Sequence, residues 1–237
     1  MRIFPENLKK KKYISKYLIR KGFQKLVKEI HSLGPLNYKE TVGFLFSKKA
    51  ELIQPWQFKE ELMQLAREIE MLKPKTVVEI GTANGGTLFM STRLSEDDAL
   101  IVSIDLPGGE FGGGYPEWKV PIYKSFARAD QKIELIRGNS HADETFLQLE
   151  NVLNGRKIDY LFIDGDHTYE GAKMDFEKYR NLVRPGGKVG FHDIVVHKGS
   201  ECDVYKLWNE VKLEYKHREF VNDWEQNCYG IGIIEKP

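Results

Sequence analysis

Residues 76–87 read Thr-Val-Val-Glu-Ile-Gly-Thr-Ala-Asn-Gly-Gly-Thr, and they constrain this chain more than any other stretch. An apolar run reaches an acidic residue and breaks into a glycine-rich turn. Leu88-Phe89-Met90 then resumes an apolar pattern suited to a helix. A strand, a tight turn and a helix N-terminus in that order build a nucleotide-type pocket at the carboxyl edge of an α/β sheet. A dinucleotide fingerprint requires Gly-x-Gly-x-x-Gly, which lets the backbone approach a pyrophosphate. Here Ala83 stands at the second glycine position, and Glu79 stands at the end of the strand. A carboxylate there repels a pyrophosphate and suits a ligand that carries a cation and no phosphate.

The rest of the chain supplies such a sheet. Phe58, Glu61, Leu62, Leu65, Ala66, Ile69 and Leu72 recur at helical spacing and lead into the opening strand. Five further segments read as strands: 100–105, 133–136, 158–164, 188–193 and 229–234. Helical patterns fall at 87–94, 119–129, 142–153, 169–183 and 202–215, with Trp208 in the apolar stripe of the last. This alternation predicts an α/β fold with a mainly parallel sheet covered by helices on both faces. A length of 237 residues suits one such domain plus an extension. We place the boundary at 53/54, with 1–53 as a basic N-terminal helical extension and 54–237 as the main domain. Residues 35–55 read as irregular.

Thirty-six Lys and Arg oppose 35 Asp and Glu, for a formal net charge of +1, so global charge gives no argument for nucleic acid or membrane binding. No nucleic acid partner is expected. Cys202 and Cys228 form no Cys-x-x-Cys pair, and no apolar run suits a bilayer span or a secretory signal, so a cytoplasmic location is expected. Charge is concentrated at the start: Arg2, Lys9, Lys10, Lys11, Lys12, Lys16, Arg20, Lys21, Lys25 and Lys28 are opposed by Glu6 alone. With Ile14, Leu18, Leu26, Ile30 and Leu33 this reads as a basic amphipathic helix, broken near Gly22. It packs on the main domain or on a sister subunit of a homo-oligomer; peripheral contact with an anionic membrane or an acidic partner is the alternative.

The proposed strands end in polar residues on one rim: Glu79, Asp105, Asn139-Ser140, Asp164 and His192-Asp193. From Gln54 onward the chain resembles class I S-adenosylmethionine-dependent methyltransferases, and within them the small-molecule O-methyltransferases that include macrolide-sugar methyltransferases and cephalosporin-biosynthesis proteins. The resemblance rests on Val78–Gly86, Ile104-Asp105, Gly138-Asn139-Ser140, Phe162–Gly171 and Pro185-Gly186-Gly187 followed by His192-Asp193. It implies a Rossmann-like fold with a seven-stranded sheet. S-adenosylmethionine, with its sulfonium and ammonium groups, also meets the demand for a cationic ligand without phosphate. The chemistry implied is methyl transfer to a hydroxyl of a small acceptor, such as a sugar or glycosylated natural product.

On this resemblance, Gly81, Thr82 and Gly85 bring backbone to the cofactor, with Glu79 beneath its methionine portion. Asn84 and Thr87 hold the amino-acid end, Asp105 accepts the two ribose hydroxyls, and Asn139, Ser140 and His141 border the adenine. Asp164 is a shared cofactor, catalytic and metal residue, and His167 is the candidate general base. Asp164, His192 and Asp193 are the candidate ligands of a divalent metal, Mg²⁺ or another ion. Relatives carry an acidic residue where this chain has His192, so the set is less negative and softer. Metal dependence stays open at this point. Residues 107–116, rich in glycine, fit either a lid or a surface insertion, with Tyr115 and Trp118 as an apolar wall in the first case. Trp224 is a further residue within reach of the acceptor. A nicotinamide-dependent oxidoreductase and a non-catalytic scaffold of the same fold are the alternatives. Ala83 and Glu79 argue against the first, and the retained Asp164, His167 and Asp193 against the second.

Overall fold

The computed structural model describes residues 21–108 and 114–237. The basic residues from Arg2 to Arg20 and the stretch from Gly109 to Gly113 lie outside the described residues, as do the readings placed on them.

The elements run α1 (21–32), α2 (Tyr38–Leu45), a 3-10 helix (Lys48–Ile53), α3 (Lys59–Leu72), β1 (Thr76–Ile80), α4 (Gly86–Leu94) and β2 (Leu100–Asp105). Then come a short 3-10 turn, α5 (Val120–Lys124), β3 (Lys132–Arg137), α6 (Asp143–Leu153), β4 (Ile158–Ile163), α7 (Tyr169–Tyr179), a 3-10 turn and β5 (Val183–His192). The described chain closes with α8 (Val204–Val211), β6 (Lys216–Phe220) and β7 (Ile231–Glu235).

The strand order is β3-β2-β1-β4-β5-β7-β6. Strands β1 to β5 are mutually parallel, while β7 lies antiparallel between β5 and β6. The direction of winding reverses between β1 and β4, and a ligand crevice opens at such a switch point. Every residue of β1 and β2 is buried, as expected for strands covered on both faces. One apolar cluster lies against α1 to α4, and a second lies under α6, α7 and α8, where Trp208 is fully buried.

Three expectations change. The stretch read as irregular folds into α2 and a 3-10 helix. Asn37 and Glu40 form a reciprocal capping box there, each side chain accepting the other's backbone N–H. The 119–129 helix shrinks to Val120–Lys124, and the 202–215 helix to Val204–Val211. Residues 21–53 do not stand apart: Leu26, Ile30, Val42, Leu45, Ala50 and Ile53 join the same cluster as Val77 and Ile101.

Candidate active site

At the β1/β4 switch point lies a cavity of about 650 Å³. Its floor is the glycine turn after β1. Gly81 has φ +85° and Gly85 φ +84°. A Cβ on Gly81 would lie 1.8 Å from the Asp164 carbonyl oxygen, so β1 and β4 run together here only because that residue is glycine. Asp105, at the end of β2, braces the turn. Its Oδ2 accepts the N–H groups of Thr82 at 2.9 Å and Ala83 at 2.8 Å, and its Oδ1 accepts that of Leu106 at 2.7 Å. Burial nevertheless outweighs these bonds and raises the Asp105 pKa.

The structure brings almost all of the expected site residues to this cavity. Gly81, Thr82, Asn84, Gly85, Thr87, Asp105, Asn139, Ser140, Asp164, His167, His192 and Asp193 all line it, as does His141. Glu79 does not. It lies one layer below, 1% exposed, where Thr82 Oγ1 donates to its Oε2 at 2.9 Å and its Oε1 has no partner. Burial raises its pKa to about 8 against the opposing pull of the nearby Thr87 and Thr82 hydroxyls. Tyr115 is buried against Tyr123, Trp118 packs edge-on against Phe23, and Trp224 stands half-exposed beside Lys212; none of the three lines the cavity.

The reactive cluster sits at the ends of β4 and β5. His192 Nδ1 lies 2.9 Å from Asp164 Oδ1, and His167 reaches Asp164 Oδ1 with Nε2 at 3.5 Å and Asp193 Oδ2 with Nδ1 at 3.2 Å. The loop carrying His167 is fixed locally. Asp166 Oδ1 accepts from the backbone and hydroxyl of Thr168, Thr168 caps α7, and the His167 carbonyl accepts the Asp203 N–H at 2.8 Å. Burial works against charge on all four groups, yet their proximity overrides it. His167 rises to about 11 through Asp164, Cys202 and Asp193, and His192 rises to about 9 through Asp164 and Asp193. Burial likewise raises the two carboxylates, but the imidazoles hold both below the usual carboxylate range.

Several lining groups escaped the sequence reading. Gln57 is 7% exposed; its Nε2 donates to Asp164 Oδ2 at 3.1 Å, and its Oε1 is buried without a partner. His197 Nε2 lies 3.0 Å from Asp193 Oδ1, and Tyr229 stacks on His192. Behind the lining, Lys119 Nζ donates to Asn84 Oδ1 at 2.8 Å. None belongs to a local pattern, and each is brought in by a contact between distant segments.

Residues 78–194, which carry the turn, Asp105, Asn139-Ser140, Asp164, His167, His192 and Asp193, match the family model of a methyltransferase domain. The chain thus carries a methyltransferase domain across residues 78–194. It is 35% identical over 121 residues to an uncharacterized protein of Acanthamoeba polyphaga mimivirus, covering 50% of this chain and 51% of that protein. It is 28% identical over 164 residues to Tapetum-specific methyltransferase 1 of Arabidopsis thaliana, covering 66% of this chain and 65% of that protein. A match of 27% identity to a protein of Sinorhizobium fredii covers 60% of this chain and 16% of that protein. The chain therefore spans less than two thirds of the length of these curated relatives. Among solved structures, the O-methyltransferase from Bacillus cereus in complex with SAH superposes with a TM-score of 0.56 at 16% identity, covering 87% of this chain and 94% of that one. That likeness concerns the fold.

Proposed function

We propose that this protein is a methyltransferase that uses S-adenosylmethionine to methylate a hydroxyl of a small acceptor. The observation that carries the reading is the continuity of one cavity from the glycine turn, past Asp105 and Asn139–His141, to the Asp164–His167–His192–Asp193 cluster. In this reading the first part offers glycine backbone and a carboxylate to the cofactor, and the second offers a base and paired carboxylates to the acceptor hydroxyl. Methyl transfer is an in-line displacement: the acceptor oxygen bonds to the methyl carbon as the carbon–sulfur bond breaks, and the hydroxyl proton goes to the protein.

Asn139, Ser140 and His141 border the adenine in this reading, and Asn84 and Thr87 hold the amino-acid end. Asp105 has about four acceptor positions, of which three are already taken by backbone N–H groups. It therefore accepts one ribose hydroxyl rather than both. His167 takes the acceptor proton, and Asp164 and Asp193 orient its ring. The carboxylates that raise the His167 pKa also strengthen it as a proton acceptor. Gln57 keeps Asp164 turned toward the cavity.

The residues fit a divalent cation. Asp164, His192 and Asp193 each offer a ligand atom within 4.8 Å of the others, and one buried atom of this set, His192 Nε2, lacks a hydrogen-bond partner. Such an ion supplies acidification of the acceptor hydroxyl and charge to offset the carboxylates.

Calorimetry with S-adenosylmethionine and S-adenosylhomocysteine, with and without EDTA or added Mg²⁺, tests the reading. Absence of binding to both overturns it. Once an acceptor is in hand, His167→Ala is expected to lower turnover by about 10²–10⁴-fold with cofactor affinity retained. Undiminished turnover removes His167 from the mechanism.

A further inference from the structure

The matched methyltransferase segment ends at residue 194, yet Gln57, His197 and Tyr229, which lie outside it, also line the cavity beside the reactive cluster. Tyr229 is held unusually firmly. Its backbone is left-handed, with φ +63°, a conformation a non-glycine residue keeps only where its surroundings impose it. Its N–H donates to His197 Nε2 at 2.9 Å, and its carbonyl accepts the Val195 N–H at 3.0 Å. Its ring stacks on His192, with centroids 5.6 Å apart and planes at 24°, and meets Phe58 edge-on at 5.0 Å.

The loop that carries Tyr229 is tied to the other end of the chain by one carboxylate. Glu61, on the inner side of α3, is fully buried. Its Oε1 accepts from Gln226 Nε2 at 2.7 Å and from the Asn222 N–H at 3.3 Å, and its Oε2 accepts the Gly230 N–H at 3.1 Å. No ion pair to Glu61 occurs among the described residues. A carboxylate taken out of water without a cation is costly, and hydrogen bonds to its oxygens are what offset that cost. All three bonds come from the loop of residues 221–230, and one lands on the residue next to Tyr229.

We propose that Glu61 is a positioning residue that seats Tyr229 against His192, and that Tyr229 thereby forms one wall of the acceptor subsite. The assignment of this wall to the acceptor rests on the methyl-transfer reading above; the clamp itself does not. A glutamine at position 61 retains one acceptor oxygen and turns an amide NH₂ toward the loop's donors. It therefore restores only part of the clamp.

The test uses the full chain with ring-labelled histidine, following the His192 imidazole C–H resonances, which are assigned through His192→Gln. A stacked phenol ring shields them. Tyr229→Leu is expected to move them downfield, and Glu61→Ala is expected to reproduce that movement. Glu61→Gln should fall between wild type and Glu61→Ala. Gln226→Ala, which removes a donor from a partly exposed loop position and leaves α3 intact, should shift them the same way and decides the matter should Glu61→Ala not fold. S-adenosylhomocysteine affinity, measured by calorimetry, is expected to be unchanged in the position 61, 226 and 229 variants. Resonances that stay at their wild-type positions in the Glu61 and Gln226 variants, while Tyr229→Leu moves them, overturn the clamp. Resonances unmoved by Tyr229→Leu overturn the stacked wall. Failure of the wild type to bind S-adenosylhomocysteine overturns the acceptor assignment along with the reading beneath it, while the resonances still decide the clamp.

Discussion

Glu79 lies beneath the glycine turn with a pKa raised to about 8 by burial. An acid whose pKa is higher folded than unfolded holds its proton more tightly in the native state. The stability this adds is fully present below about pH 4.5, its ordinary value, and is lost as pH rises through about 8. Glu79→Gln is therefore expected to flatten the decline of stability between those limits. At pH 8.5 the variant should be more stable than wild type by on the order of 2–4 kcal/mol, read from urea midpoints at pH 5 and pH 8.5. A second contrast concerns two left-handed glycines. Gly155, with φ +80°, has nothing within 4 Å of an added Cβ, whereas Gly81 faces the Asp164 backbone. Gly155→Ala should cost about 1–2 kcal/mol, the backbone term alone. Gly81→Ala should cost more and also weaken S-adenosylhomocysteine binding. Equal thermal midpoints for the two variants would contradict the close approach of β1 and β4.

Among the elements, β1 depends on a staple from its neighbour. Asp159 in β4 accepts the N–H groups of Lys75 and Thr76 at 2.8 Å each and pairs with Arg184. Asp159→Ala removes this acceptor where the central strand begins. The exposed Lys75 N–H turns to water, while the part-buried Thr76 N–H is left unpaired, so a loss of about 1–3 kcal/mol is expected, seen as a lower denaturation midpoint at unchanged slope. Elements were legible in the sequence where their signal is local. The apolar runs of β1, β2 and β4 and the stripe of α3 are of that kind. β6 was not read, because Lys-His-Arg-Glu-Phe shows no alternation: it is an edge strand with its first three residues exposed, defined by pairing with β7. α2 was missed although its capping box was present in the sequence, since Gly34-Pro35 suggested a loop.

Across the whole molecule, the same distinction separates what was legible in the site from what was not. The turn, Asp105, Asn139-Ser140 and the β4 and β5 termini each follow a strand directly, so local order revealed them. Gln57 meets Asp164 across 107 positions and Glu61 meets Gly230 across 169, distances over which a pattern carries no information. The N-terminal helices belong to the same long-range order. Removal of residues 1–53 strips Leu26, Ile30, Val42, Leu45, Ala50 and Ile53 from the core and takes Ile30 O away from buried Arg93. The shortened chain is expected to lose its cooperative thermal transition and to bind a hydrophobic dye. Glu61 and the loop of residues 221–230 carry one further consequence, for recombination. A chimaera that takes only its C-terminal third from a relative separates the loop from the carboxylate that holds it. An exchange of segments that is to keep this loop seated therefore requires α3 and the 221–230 loop to travel together, as an inherited pair.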